Sequence, residues 1–90
     1  MRKLESRELD VFLSLLRKYR VERGYTQIDM AHCLGTTQSM VSKYESGERR
    51  LDIFELRSIC SILDVSVSEF INELEKEMKC LNATESKIPK

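Results

Sequence analysis

Two groupings of reactive side chains stand out in this 90-residue chain: an adjacent His32–Cys33 pair, and the amide, hydroxyl and ammonium groups between Gln38 and Lys43. The first does not assemble into a site. Neighbouring helix residues diverge by about 100°, and no second Cys or His stands three or four positions away to complete a metal-ligand set. Cys33, Cys60 and Cys80 are odd in number, widely spaced and without a C-x-x-C, so they read as reduced thiols rather than a disulfide framework. With a single His there is no supported Ser-His-Asp or paired-carboxylate arrangement. Neither catalysis, a metal nor a cofactor is expected. The second grouping is more coherent. On a helix, Gln38, Ser39, Ser42 and Lys43 fall at i, i+1, i+4 and i+5, along one side. An amide donates and accepts as a pair, an ammonium donates and a hydroxyl does either, the groups that nucleobase edges and phosphates can engage. The plain alternative is a solvated polar face. Arg49 and Arg50 follow Gly47 a few residues on, and solvation beside Glu48 is their plain alternative.

At 10.5 kDa, with 41% hydrophobic and 33% charged residues, one Pro and three Gly, the chain has the composition of a single, mostly helical domain. A domain of this size uses most of its apolar side chains to close one small core, which disfavours a deep enzyme cleft. No apolar run approaches the length of a membrane span, and the opening MRKLESRELD lacks the apolar stretch of a signal peptide. A cytoplasmic location without membrane contact is therefore expected. Formal net charge is zero but unevenly placed. From Arg17 to Arg50 seven bases face four acids, a net of +3, whereas from Asp52 to Glu77 seven acids face two bases, a net of −5. Such polarity can orient a protein on a polyanion, or can simply solvate helix faces.

Five helices must position these groups. Leu9, Phe12, Leu13, Leu16 and Tyr19 mark one face of a first helix over about Ser6 to Arg23, which Gly24 ends. Thr26 caps a second helix, Gln27 to Leu34, with Met30, Ala31 and Leu34 inward, stopped by Gly35. Thr37 caps a third, about Gln38 to Glu45, ended by Ser46-Gly47, with Val41 and Tyr44 directed inward or along the domain edge. Asp52 caps a fourth carrying Ile53, Leu56, Ile59, Cys60 and Leu63, and Ser66 caps a fifth carrying Val67, Phe70, Ile71, Leu74, Met78 and Leu81. The fold class is all-α. Helices two and three are too short to stand alone and must be clamped by the longer ones. A short helix, a Gly-containing turn and a second short helix with a polar outer side form a helix-turn-helix, whose second helix can enter a DNA major groove.

The pattern R-x-x-R-G-Y-T-Q-x-x-M-A-x-x-L-G-T-T-Q-S-x-V-S-K-Y-E-S-G-E-R, from Arg20 to Arg49, resembles the lambda-repressor-like (XRE- or Cro-type) helix-turn-helix family of bacterial and phage transcriptional regulators. The resemblance spans about Phe12 to Ile71 and implies a compact five-helix domain that binds operator DNA, usually as a two-fold dimer. It implies base reading by Gln38, Ser39, Ser42 and Lys43, and phosphate contact by Gln27, Thr37, Arg49 and Arg50, one of the two arginines being able to reach the minor groove. The resemblance further implies that the Gln27 amide braces the start of helix three. In the family the pair matching Arg20 and Glu45 is a partly buried structural ion pair, which removes Arg20 from the DNA contacts. Three positions depart from the usual pattern: Asp64 where Gly often ends helix four, Cys60 at a small core position, and Met40 outward on helix three. Met40 is left between a thymine-methyl or backbone contact and packing on the domain.

The organisation expected is an N-terminal extension of helix one over 1–11, the helix-turn-helix domain over 12–71, an extended fifth helix over 72–81 and a frayed tail over 82–90. The extensions carry surplus apolar groups. Leu4, Leu9, Val11 and Leu15 add a second flank to helix one, while Val67, Ile71, Leu74, Met78 and Leu81 form a heptad-like seam on helix five. Either the extensions pack on each other within one chain, or the seam is a homodimer contact; the dimer is preferred because operator reading by one such domain is weak. The function expected is a homodimeric repressor or autorepressor reading a near-palindromic site in double-stranded DNA. The rival reading is an antitoxin or protein-interaction module on the same scaffold, with the seam gripping a protein partner.

Overall fold

Apolar residues at steps of three and four produce five helices, each closed at its ends by residues suited to the purpose. The computed structural model describes the backbone of residues 3–85 and the side chains of residues 7–80. Its helices are α1 (Lys3–Glu22), α2 (Gln27–Leu34), α3 (Gln38–Ser46), α4 (Ile53–Ile62) and α5 (Val67–Glu85). The described residues contain no strand. The all-α, five-helix architecture expected from the sequence is the one found.

The N-termini are fixed by short polar side chains. Thr26 and Asp52 each exchange hydrogen bonds with the residue three positions on, Asp29 and Glu55, which satisfies backbone donors that a helix start leaves open. Ser66 and Glu69 do the same at α5, and Thr37 Oγ1 accepts the Met40 N–H at α3. These bonds hold the Asp29 carboxyl below its usual range, the Thr26 backbone N–H contributing most.

The helix ends share one device. After α2, the Thr36 N–H reaches back to Ala31 O and the Gly35 N–H to His32 O; after α3, the Glu48 and Gly47 N–H groups do the same to Lys43 O and Tyr44 O. This closure needs a left-handed residue. Gly47 supplies it at φ 87°, and a Cβ there would also press Leu13 Cδ1 at 3.3 Å. After α4 the left-handed residue is Asp64, at φ 59°. Asp tolerates that conformation better than most side chains, and Arg23, just past the end of α1, ties the turn down, its Nε donating to Leu63 O at 2.6 Å. The Arg23 guanidinium also lies 5.4 Å from the centre of the Tyr19 ring. A cation against the last carbonyls of α4 also suits the helix dipole.

The core sits where α1, α4 and α5 enclose the two short helices. Phe70, Met30 and Val41 are fully buried, with Leu16, Ile59, Leu63 and Cys60 around them. Phe12 meets Phe70 edge to face with ring centres 5.8 Å apart. Burial raises the Cys60 thiol pKa, which keeps it an inert core group. Ile53, in step with Leu56 along α4, is instead exposed; it is the first residue of the helix. Helix α1 begins at Lys3, earlier than Ser6, and α3 includes Ser46. Helix α5 continues through Asn82 to Glu85, into the segment expected to fray. The rest of that segment, and the side chains of Leu4 and Leu81, lie outside the described residues.

Candidate nucleic-acid interface

The tight α2–α3 connection places the start of α2 beside the start of α3 and gathers the polar residues predicted from the sequence. Gln38, Ser39 and Lys43 are exposed and Ser42 is half-buried, while Val41, Tyr44 and Glu45 form the buried side of α3. Met40 is half-buried and lines a cavity of about 190 Å³ with Leu34, Tyr44, Leu51 and Ile59, on the domain's own side.

A chain of side-chain hydrogen bonds runs inward from this surface. Gln38 Nε2 donates to Gln27 Oε1 at 2.8 Å, and Gln27 Nε2 donates to Glu45 Oε1 at 3.0 Å. Glu45 is buried, and Arg20 meets it with two bonds, Nε to Oε2 at 2.7 Å and Nη2 to Oε1 at 3.1 Å. Arg20 Nη1 donates to Tyr25 O at 2.8 Å, so one guanidinium joins α1, the α1–α2 loop and α3. The buried carboxylate is thus fully met, as a charge removed from water must be. Arg17, which the sequence did not single out, lies 3.7 Å from Glu45 with its side chain about half exposed. Tyr44, adjacent in sequence, has its hydroxyl pKa pushed up to about 12, chiefly by burial and further by the Glu45 charge.

The Gln27 brace has a specific consequence for Gln38. It uses one of the two amide hydrogens and leaves the carbonyl oxygen with the other, the acceptor–donor pair that adenine N6 and N7 match. The side chain is also held in place before any ligand arrives. Thr37 Oγ1 accepts the Met40 N–H in capping α3, which leaves its O–H to donate outward.

The other predicted phosphate residues occupy the loop after α3. Arg50 is exposed. Arg49 is half-exposed and paired: Nη1 and Nη2 donate to Glu55 Oε1 and Oε2 at 3.2 and 2.6 Å. Their mutual hydrogen bonds raise the Arg49 pKa and hold the Glu55 carboxyl below its ordinary value. The sequence reading gave Glu55 no role, because nothing local marks a loop arginine and an α4 acid six residues apart as partners.

The family model for the helix-turn-helix matches residues 16–70. The chain belongs to the helix-turn-helix family. It is 39% identical over 56 residues to the SPbeta prophage-derived HTH-type transcriptional regulator YonR of Bacillus subtilis (strain 168), an overlap of 62% of this chain and 52% of that protein. It is 40% identical over 57 residues to the HTH-type transcriptional regulator YqaE of the same organism, covering 63% of this chain and 49% of that one. The chain thus spans about half the length of these curated relatives. Among solved structures it resembles an XRE-family like protein from Pseudomonas syringae pv. tomato str. DC3000, at a TM-score of 0.76 and 34% identity over 82% of this chain and 90% of that one. The clp gene regulator ClgR of Corynebacterium glutamicum shares the fold at a TM-score of 0.75 and 24% identity, over 88% of this chain and 84% of the other. The helix-turn-helix family is one of regulators rather than a class of enzymes. Among the described residues no cluster of His, Cys, Asp or Glu is arranged to hold a metal, and no helix is long and apolar enough to cross a membrane.

The seam on α5 is divided. Val67 and Leu74 pack against the chain's own core, Met78 is half-buried and Ile71 is exposed. Part of the stripe offered by the sequence as a dimer contact therefore serves the interior.

Proposed function

We propose that this chain is a sequence-specific regulator of transcription that binds double-stranded DNA in the cytoplasm, with α3 in the major groove. The observation that carries the proposal is Gln38, braced by Gln27 at 2.8 Å and still offering one amide oxygen and one N–H outward. Ser39, Ser42 and Lys43 extend the reading face along α3. The first turn of α2 at Gln27, Thr37 at the start of α3, and Arg49 and Arg50 in the following loop supply the phosphate contacts. Arg20 and Glu45 hold α1 to α3 and leave the DNA to their neighbours.

The chain acts as a homodimeric repressor or autorepressor. Two copies of α3 about 34 Å apart enter successive major grooves of a near-palindromic operator. Ile71, Met78 and Leu81 are the members of the α5 seam proposed for the two-fold contact, Val67 and Leu74 supporting them from the core side. Phosphate contacts supply most of the affinity, so binding weakens steeply with salt.

The test is footprinting of the purified chain on the DNA upstream of its own coding region, together with the mass of the complex. A symmetric footprint carrying two chains supports the proposal. Isolation with a stoichiometric protein partner and no footprint would overturn it in favour of an antitoxin-like interaction module.

A further inference from the structure

The Arg49–Glu55 pair leaves part of its guanidinium unused, and the unused part has a definite shape. Arg49 directs its outer edge, Nη1 and Nη2, at the two Glu55 oxygens, and Nη1 also donates to Arg50 O at 3.3 Å. A guanidinium has five N–H groups. Those remaining are the Nε–H and the second Nη2–H, which lie parallel on the side edge, and neither has an acceptor among the described residues. Two parallel donors fit two oxygens of one phosphate.

Glu55 is itself anchored. Its Oε1 also accepts the Asp52 N–H at 2.9 Å, and Asp52 Oδ1 accepts the Glu55 N–H at 2.8 Å, which closes the cap of α4. A phosphate that displaced Glu55 from Arg49 would break two hydrogen bonds to a carboxylate that cannot follow. A phosphate that joins at the side edge breaks none, and finds the guanidinium already immobilised. Arg49 shares the cavity beneath α3 with Thr36 and Met40, so it flanks the start of the reading helix.

We infer that Glu55 is a positioning residue which holds Arg49 so that its Nε–Nη2 edge takes one backbone phosphate of duplex DNA as a bidentate pair. The inference rests on the DNA-binding reading above. In that role an acid improves binding to a polyanion, the reverse of what its charge alone would do.

The experiment uses the full chain and a fluorescein-labelled, mixed-sequence DNA duplex, followed by anisotropy over a series of KCl concentrations. Arg49→Lys keeps the charge but loses the planar edge, and should weaken binding about three- to tenfold. Glu55→Gln preserves the α4 cap, since Gln also closes a capping box, and should weaken binding by a similar factor despite removing a negative charge. In the Arg49→Lys background, Glu55→Gln should produce no further loss. Far-ultraviolet circular dichroism and the thermal midpoint confirm that each variant is folded. Equal or tighter binding by Glu55→Gln, or the same loss in both backgrounds, would overturn the inference and leave the DNA reading intact. Failure of the unaltered chain to bind the duplex even at low salt would overturn both.

Discussion

Two arginine–glutamate pairs in this molecule have nearly the same chemistry and opposite surroundings. Arg20 and Glu45 meet through two hydrogen bonds with side chains 12% and 3% exposed; Arg49 and Glu55 also meet through two, at 37% and 35%. Around Glu45 every contact is internal: Arg20, Arg17 and Gln27 converge on it and tie α1, α2 and α3 together. Around Glu55 both side chains are partly open to solvent, and the guanidinium keeps a free edge. Burial therefore decides what each pair is for. The first makes the scaffold on which Gln27 and Gln38 are held; the second is the pair we infer to hold a guanidinium edge for a phosphate.

The largest expected effect is on the buried side. Glu45→Ala leaves the largely buried Arg20 guanidinium without its carboxylate and should cost about 3–5 kcal/mol of folding stability in urea denaturation. Loss of the cap in Asp52→Ala should cost about 1 kcal/mol and release one anchor of Glu55. Glu55→Gln, at a solvated pair, should cost less than about 1 kcal/mol. Losses of equal size for Glu45→Ala and Glu55→Gln would erase the distinction.

The two regions should also differ in the pH range where they weaken. Tyr44 binds its proton more tightly folded than unfolded, so the stability it lends is complete below pH 10.0 and declines as pH rises toward about 12. Denaturation midpoints through that window should fall more for the native chain than for Tyr44→Phe. Glu55 behaves with the opposite sign. Its carboxyl is held below the ordinary value, so its contribution is present above that value and disappears as the solution is acidified through the folded-state pKa. Acid titration should therefore reduce stability slightly less in Glu55→Gln than in the native chain.

What the sequence revealed, and what it did not, follows the range of the interactions. Helix starts at Thr26, Thr37, Asp52 and Ser66 and stops at Gly24, Gly35 and Gly47 rest on bonds within a few residues, and the structure places the helix ends within a few positions of those expected. Asp64, marked in the sequence only by standing where the family often has Gly, takes that glycine's positive φ. Ile53 was misplaced because periodicity alone cannot tell a helix's first residue, which the core does not reach, from those further along. Arg23 on the Leu63 carbonyl spans 40 positions, and no local pattern announces it. The Arg20–Glu45 pair spans 25 positions and came from the family resemblance, not from spacing. Met40 and the α5 seam were ambiguous because an apolar side chain near a surface can turn either way, and Val67 and Leu74 turned inward.

The central claim is that Gln38 and its neighbours on α3 read base edges, and selection from a randomised duplex library by the native chain and by Gln38→Ala tests it most directly. The account predicts that the native chain enriches a two-fold symmetric site, and that the variant relaxes preference by about 1–3 kcal/mol at one base pair per half-site while the others persist. A uniform loss of affinity across all sequences, with the preference profile unchanged, would contradict it.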